Sequence, residues 1–142
     1  SVDAVANFEA VAAARQDVAQ LVLGADGNER LRTTLRRHRR ARDRILQAKV
    51  LHARHDYDGE WRLLQEAAPF APNDPVLAWA AVDLGYIYFS NGRWPEAASR
   101  LEWAMNVSPT MAQGFDLLAR TYDELGQPER AAAARKQAMA LR

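Results

Sequence analysis

The sequence predicts an all-α fold of about seven helices, paired into antiparallel hairpins that stack on one another, and three observations predict it. Apolar residues recur at helical spacing along nearly the whole chain. Prolines and glycines interrupt that spacing at intervals, and a segment of about 34 residues repeats itself.

At 142 residues the chain has the size of one ordinary domain, enough to bury about two-thirds of its unfolded surface. The composition is 49% apolar and 26% charged, which is globular and excludes the low-hydrophobicity, high-charge signature of disorder. There is no cysteine, so a disulfide framework, a thiolate nucleophile and a zinc–thiolate site are all excluded. No apolar run approaches the roughly 18 residues of a spanning helix and no leader pattern precedes a cleavage site, so a soluble chain is expected. The compartment stays open between cytoplasm and periplasm, with cytoplasm ranked first. Ser1 in place of methionine gives the expectation of a piece excised from a longer protein.

The elements follow in order. Val5, Phe8, Val11, Val18, Leu21 and Val22 recur at three, four or seven, predicting a helix over about 3–23 capped by Ser1 or Asp3. Residues 24–28 read as a turn, with Asn28 as the next N-cap. A second helix runs from Glu29 toward Asp56, whole or broken. Asp58 and Gly59 open a third segment, which Pro69, Pro72 and Pro75 close because proline lacks the N–H of a helix interior. Asp74 and Pro75 read as cap and first turn of a fourth helix. Asn91 and Gly92, then Pro95, Ser108 and Pro109, then Gly126 and Pro128 separate three more. No convincing strand is found.

Leu84, Gly85, Tyr88, Gly92, Ala97, Leu101 and Ala104 return 34 residues later as Leu118, Ala119, Tyr122, Gly126, Ala131, Arg135 and Ala138. Only Leu101 to Arg135 changes character. Small residues at 85, 97 and 104 let two helices cross closely, Tyr88 and Leu101 fill the space between them, and Gly92 makes the turn. The segment LGYIYFSNGRWPEAASRLEWAMNVSP resembles the tetratricopeptide-repeat (TPR) family, carrying its L-G-x-x-Y, its turn glycine, its small alanines and its closing proline. The resemblance implies hairpins stacked into a short right-handed superhelix. It covers residues 75–142 and continues in degenerate form to about 42. A shift of 37 aligns Ala48, Leu51, Leu64, Ala67 and Pro72 with the pattern, but leaves Gln47, His55 and Glu60 where leucine, glycine and alanine are expected; a shift of 34 offers Val50, Leu51, Leu63 and Pro75 instead. The expected organisation is a single helical domain over 1–142: N-terminal helices 1–40, a degenerate hairpin 41–74, a TPR hairpin 75–111, and a final hairpin with polar cap 112–142.

Chemistry-bearing patterns are sparse. His52, His55, Asp56 and Asp58 combine metal-ligand types, yet a third ligand on a second element is missing and Arg54 adjoins them, so a solvated helix end is the expected reading and no metal or other cofactor is predicted. No phosphate-cradling or nucleophile-elbow motif occurs, and catalysis is not expected. Arg36, Arg37, Arg39, Arg40 and Arg44 form a basic patch on helix two, although the chain carries a net charge of only +1. Without interleaved aromatics, nonspecific polyanion binding ranks below a solvated, ion-paired face, and nucleic acid is not the expected partner.

The resemblance to the TPR family implies a concave groove built from the first helix of each hairpin. It places Trp79, Val82, Tyr86 and Phe89 there, with Gln113, Asp116, Arg120, Asp123 and Glu124 beyond, and Lys49 and His52 on the 37-residue register. Such a groove fits a peptide or a partner helix. The competing expectation is that helix one or two folds back and fills it. Trp61, Trp94 and Trp103 are expected to pack between helices. Two function classes follow: a non-enzymatic protein-interaction scaffold, ranked first, and an appendage of an enzyme. For the latter, the order of an amphipathic helix over Asn7–Val22, an arginine-rich helix over Arg39–Leu51 and the repeats resembles the soluble tail of bacterial membrane proteins fused to a spermidine-synthase-like domain.

Overall fold

The computed structural model describes residues 2–22 and 24–142, and the side chains of residues 4–13, 15 and 27–142. The expected caps at Ser1 and Asp3, and the side chains of Val18, Leu21 and Val22, lie outside what is described. Seven α-helices follow one another among the described residues, with no strand. They are α1 (Val2–Val22), α2 (Gly24–Ala53), α3 (Tyr57–Ala67), α4 (Pro75–Ser90), α5 (Trp94–Val107), α6 (Ala112–Glu124) and α7 (Pro128–Ala140), and a single 3-10 turn, Ala68–Phe70, follows α3. Each of α2, α4 and α6 pairs with the helix after it, and α1 folds back along α2.

The three hairpin turns are built alike. His55, Gly92 and Gly126 all take left-handed backbone conformations, with φ of 60°, 73° and 69°. The next residue in each case returns a hydrogen bond to the last turn of the preceding helix: Asp56 N–H to Leu51 O, Arg93 N–H to Tyr88 O and Gln127 N–H to Tyr122 O, each 2.9 Å. This closure satisfies carbonyls that a helix end leaves orphaned. It selects the 37-residue register for the first hairpin, because His55 occupies the place that glycine fills in the other two.

Helix starts have local causes. Asp56, rather than Asp58, caps α3, its Oδ1 accepting from Gly59 N–H at 3.0 Å. Asp74 Oδ1 accepts from Val76 N–H at 2.9 Å, with Pro75 in the first turn of α4. The expected turn over 24–28 does not form. α2 begins at Gly24 and passes through Gly27 and Asn28, so Asn28 is not a cap; its side chain is buried and its Oδ1 has no partner. α2 is then one helix of 30 residues, about 45 Å long at 1.5 Å per residue.

Close crossing fixes the stack. A Cβ on Gly85 would stand 2.6 Å from Leu101 Cγ, so α4 and α5 meet with no room for a side chain. Gly114 lies against the end of Met105 in the same way, setting α6 on α5. Fully buried Ala97, Leu101 and Ala104 are matched in the first hairpin by buried Leu64 and Ala67. Two apolar clusters, one around α4 to α7 and one around α2 to α4, are bridged by Trp61, Trp103 and Val107. Trp61 and Trp103 meet edge to face at 5.1 Å, a favoured aromatic geometry. At the far end Arg135 replaces the buried leucine of the repeat and pairs with Asp123 instead, which suits a helix with no further hairpin against it among the described residues.

Candidate functional site

Helices α2, α4 and α6 are the first helices of the three hairpins, the set to which the repeat resemblance assigns the groove. On α4, Trp79 and Tyr86 sit two helical turns apart and are 45% and 59% exposed. Both rings remain exposed with α1 and α2 in place. α1 instead packs along α2, where Phe8 lies 5.4 Å from the Arg42 guanidinium and Ala12 is buried. Its first turns reach a cavity of about 300 Å³ shared with Ala71, Asp74 and Val76, at the edge of the groove.

Beside Trp79 a cavity of about 350 Å³ opens between α2 and α4. Its apolar lining includes Ile45, Leu64, Val76 and Trp79, and its polar groups are Lys49, His52, Glu60 and Asp83. Glu60 comes from the first turns of α3, and its side chain is only 5% exposed. One carboxylate oxygen, Oε2, meets His52 Nδ1 at 2.8 Å. Burial pushes the Glu60 carboxyl above its ordinary range; the His52 contact pulls the other way, and the nearby negative charge of Asp83 adds to the rise. The sequence reading noted Glu60 only as a departure from the repeat and left Asp83 among scattered surface carboxylates, so both were missed as site residues. The available signal was that Ala97 and Ala131, fully buried, hold the position that Glu60 takes.

The remaining expected groove residues divide. Phe89 is half-buried, with the Arg120 guanidinium 4.9 Å above its ring, so this pair forms the groove wall between α4 and α6. Gln113 is exposed. Val82 is a correction: it is 7% exposed and packs in the core, close to Gly114 on α6, and so offers the groove almost no surface. Asp116 and Asp123 are held by Arg142 and Arg135, which neutralises the acidic side of α6. Lys49 and Asp83 have no ion pair among the described residues.

The histidine–aspartate cluster is dispersed into separate contacts. His52 turns to Glu60, His55 stacks on Tyr57 at 5.8 Å, Asp56 caps α3, and Asp58 accepts from Tyr88 Oη at 3.2 Å. In the basic patch, Arg36 pairs with Glu29 and Arg44 with Glu66, while Arg40 and Arg44 lie over the Phe70 ring at 5.6 and 5.3 Å. Arg37 and Arg39 are exposed. No helix among the described residues is long and apolar enough to cross a membrane.

No protein-family model matches the chain, and no curated protein matches it. Among solved structures, a crystal structure of MamA is similar at 19% identity and TM-score 0.54 over 71% of this chain. MamA AMB-1 and MamA MSR-1 are similar at 21% and 20% identity, both with TM-score 0.52, over 87% and 88% of this chain. The chain spans 57% of the first of these proteins and 68% and 69% of the other two. The likeness is one of fold: this is an all-α, TPR-like helical repeat.

Proposed function

We propose that the chain is a non-enzymatic docking module that binds an extended peptide or a partner helix along the face of α2, α4 and α6. The observation that carries this reading is the pair of open rings, Trp79 and Tyr86, on one helix beside an apolar-walled cavity. Large exposed aromatics lose little conformational entropy on binding and supply much of the energy at such interfaces. Lys49 and Asp83, without ion pairs, give the groove charges to spend on orientation and specificity.

The basic patch supports a polyanion reading less well. Arg36, Arg40 and Arg44 are already engaged with carboxylates or with Phe70. Nothing in the described residues favours the spermidine-synthase-like setting. The test of the docking reading is selection of degenerate displayed peptides on the protein. The expected result is a set of binders whose affinity falls at least tenfold in a Trp79→Ala, Tyr86→Ala double variant with an unchanged melting temperature. Binders indifferent to both rings would move the site elsewhere.

A further inference from the structure

The cavity beside Trp79 contains a feature that hairpin packing does not call for. Its equivalents in the other two hairpins, Ala97 and Ala131, are fully buried alanines, so the helix crossing needs only a small side chain there. The first hairpin instead buries the Glu60 carboxylate to 5% exposure, which costs desolvation free energy wherever the charge is not fully partnered. Oε2 has His52 for a partner, while no hydrogen bond reaches Oε1 among the described residues. Asp83, which has no ion pair among the described residues, lines the same cavity from α4, and the Trp79 ring forms part of its wall.

The geometry points to a subsite for a lysine side chain of a docked peptide, its ammonium between Glu60 Oε1 and the Asp83 carboxylate and its methylenes against Trp79, Ile45 and Val76. This rests on the docking reading above. The volume, about 350 Å³, lies at the low end of ligand pockets of roughly 300–1,000 Å³, which suits one long side chain. An aliphatic stem matches the apolar walls, and an indole face attracts a cation. Arginine fits less well. A guanidinium fork seeks two parallel acceptors on one carboxylate, and His52 already holds one oxygen of Glu60; an ammonium is a compact charge whose three donors can reach separate acceptors. Lys49 and His52 face the same cavity and oppose a second cation, so the subsite takes one ammonium and no more. They also define the opposite outcome, a peptide carboxylate drawn to Lys49.

The test is selection of degenerate displayed nonapeptides on wild-type protein, on Asp83→Asn and on Glu60→Gln, with folding of each variant checked by its melting curve. Asp83 is exposed, so its variant keeps the fold. The expected result is enrichment of lysine over norleucine-like and arginine residues at one peptide position on the wild type. Affinity for a selected peptide should drop about tenfold in each variant, as it should when that lysine is replaced by methionine. Ring-dependent binders without a lysine preference, with an acidic preference, or with lysine enrichment that persists in both variants overturn the subsite and leave the docking reading standing. If no peptide is selected at all, both fall.

Discussion

At the scale of the residue, two of the side chains that depart from the repeat, His55 and Glu60, have measurable consequences. His55 is in the left-handed region at φ 60°, where a Cβ costs about 1–2 kcal/mol. Its ring recovers part of this by stacking on Tyr57. Replacing it with glycine is expected to stabilise the chain by about 0.5–1 kcal/mol once the greater freedom of unfolded glycine is deducted. In a denaturant titration the midpoint should rise with an unchanged slope; a fall would mean that the stack on Tyr57 outweighs the backbone strain. Glu60 is the second. Its carboxyl is raised by burial above the unfolded value, so folding favours its protonated form. The resulting stability is fully present below the unfolded pKa and is lost as pH rises through the higher folded one. Glu60→Gln keeps a partner for His52 and removes the titration. The variant should therefore melt above wild type at pH 7, and the gap should close as pH falls toward the ordinary carboxylate value of about 4.3. A gap independent of pH would contradict the raised pKa.

At the scale of the element, the α4–α5 crossing leaves no room for a side chain at Gly85. With Leu101 Cγ 2.6 Å from where a Gly85 Cβ would stand, Gly85→Leu must push the helices apart. The expected cost is roughly 1–3 kcal/mol, read as a melting temperature several degrees lower; an unchanged melting curve would refute the close crossing. This contact was legible in the sequence because Gly85, Ala97, Leu101 and Ala104 stand at a fixed spacing and repeat. The first hairpin was legible only in part. Leu64 and Ala67 keep the pattern, whereas the αL residue is a histidine, whose identity does not announce a positive φ, and two registers stayed open until the turn itself was seen. The junction of α1 and α2 was misread for a different reason. Gly24, Gly27 and Asn28 have turn composition, but propensity is a weak prior that packing overrides, and α2 runs through two of them with Asn28 buried.

At the scale of the whole molecule, rings, cations and carboxylates tie the hairpins together. The Arg100 guanidinium of α5 lies between Trp61 of α3 and Tyr88 of α4, at 4.8 and 4.9 Å. Tyr122 ties α6 to α5 through a 2.6 Å hydrogen bond from its hydroxyl to Glu102; burial, reinforced by that carboxylate, pushes the phenol up to about 12. Asp116 and Asp123, toward the two ends of α6, pair with Arg142 and Arg135. The resemblance to the repeat family assigns Asp116 and Asp123 to the groove, and Arg142 and Arg135 reach them there. The same resemblance assigns Val82 to the groove, but it packs in the core beside Gly114 instead. Trp79 and Tyr86 were legible because the repeat fixes their side of α4. The Glu60–Asp83 pair was not, because its partners come from different hairpins and from the helix that a repeat reading assigns to packing.

The most direct test of the open groove is hydroxyl-radical footprinting of the aromatic residues in the free protein and again with a peptide selected on it. Trp79 and Tyr86 should be oxidised readily in the free chain and protected in the complex, while the partly buried Trp61 and Trp103 react less and to the same extent in both. Protection of Trp79 and Tyr86 already in the free protein would contradict the account, for the face would then be covered by the chain itself.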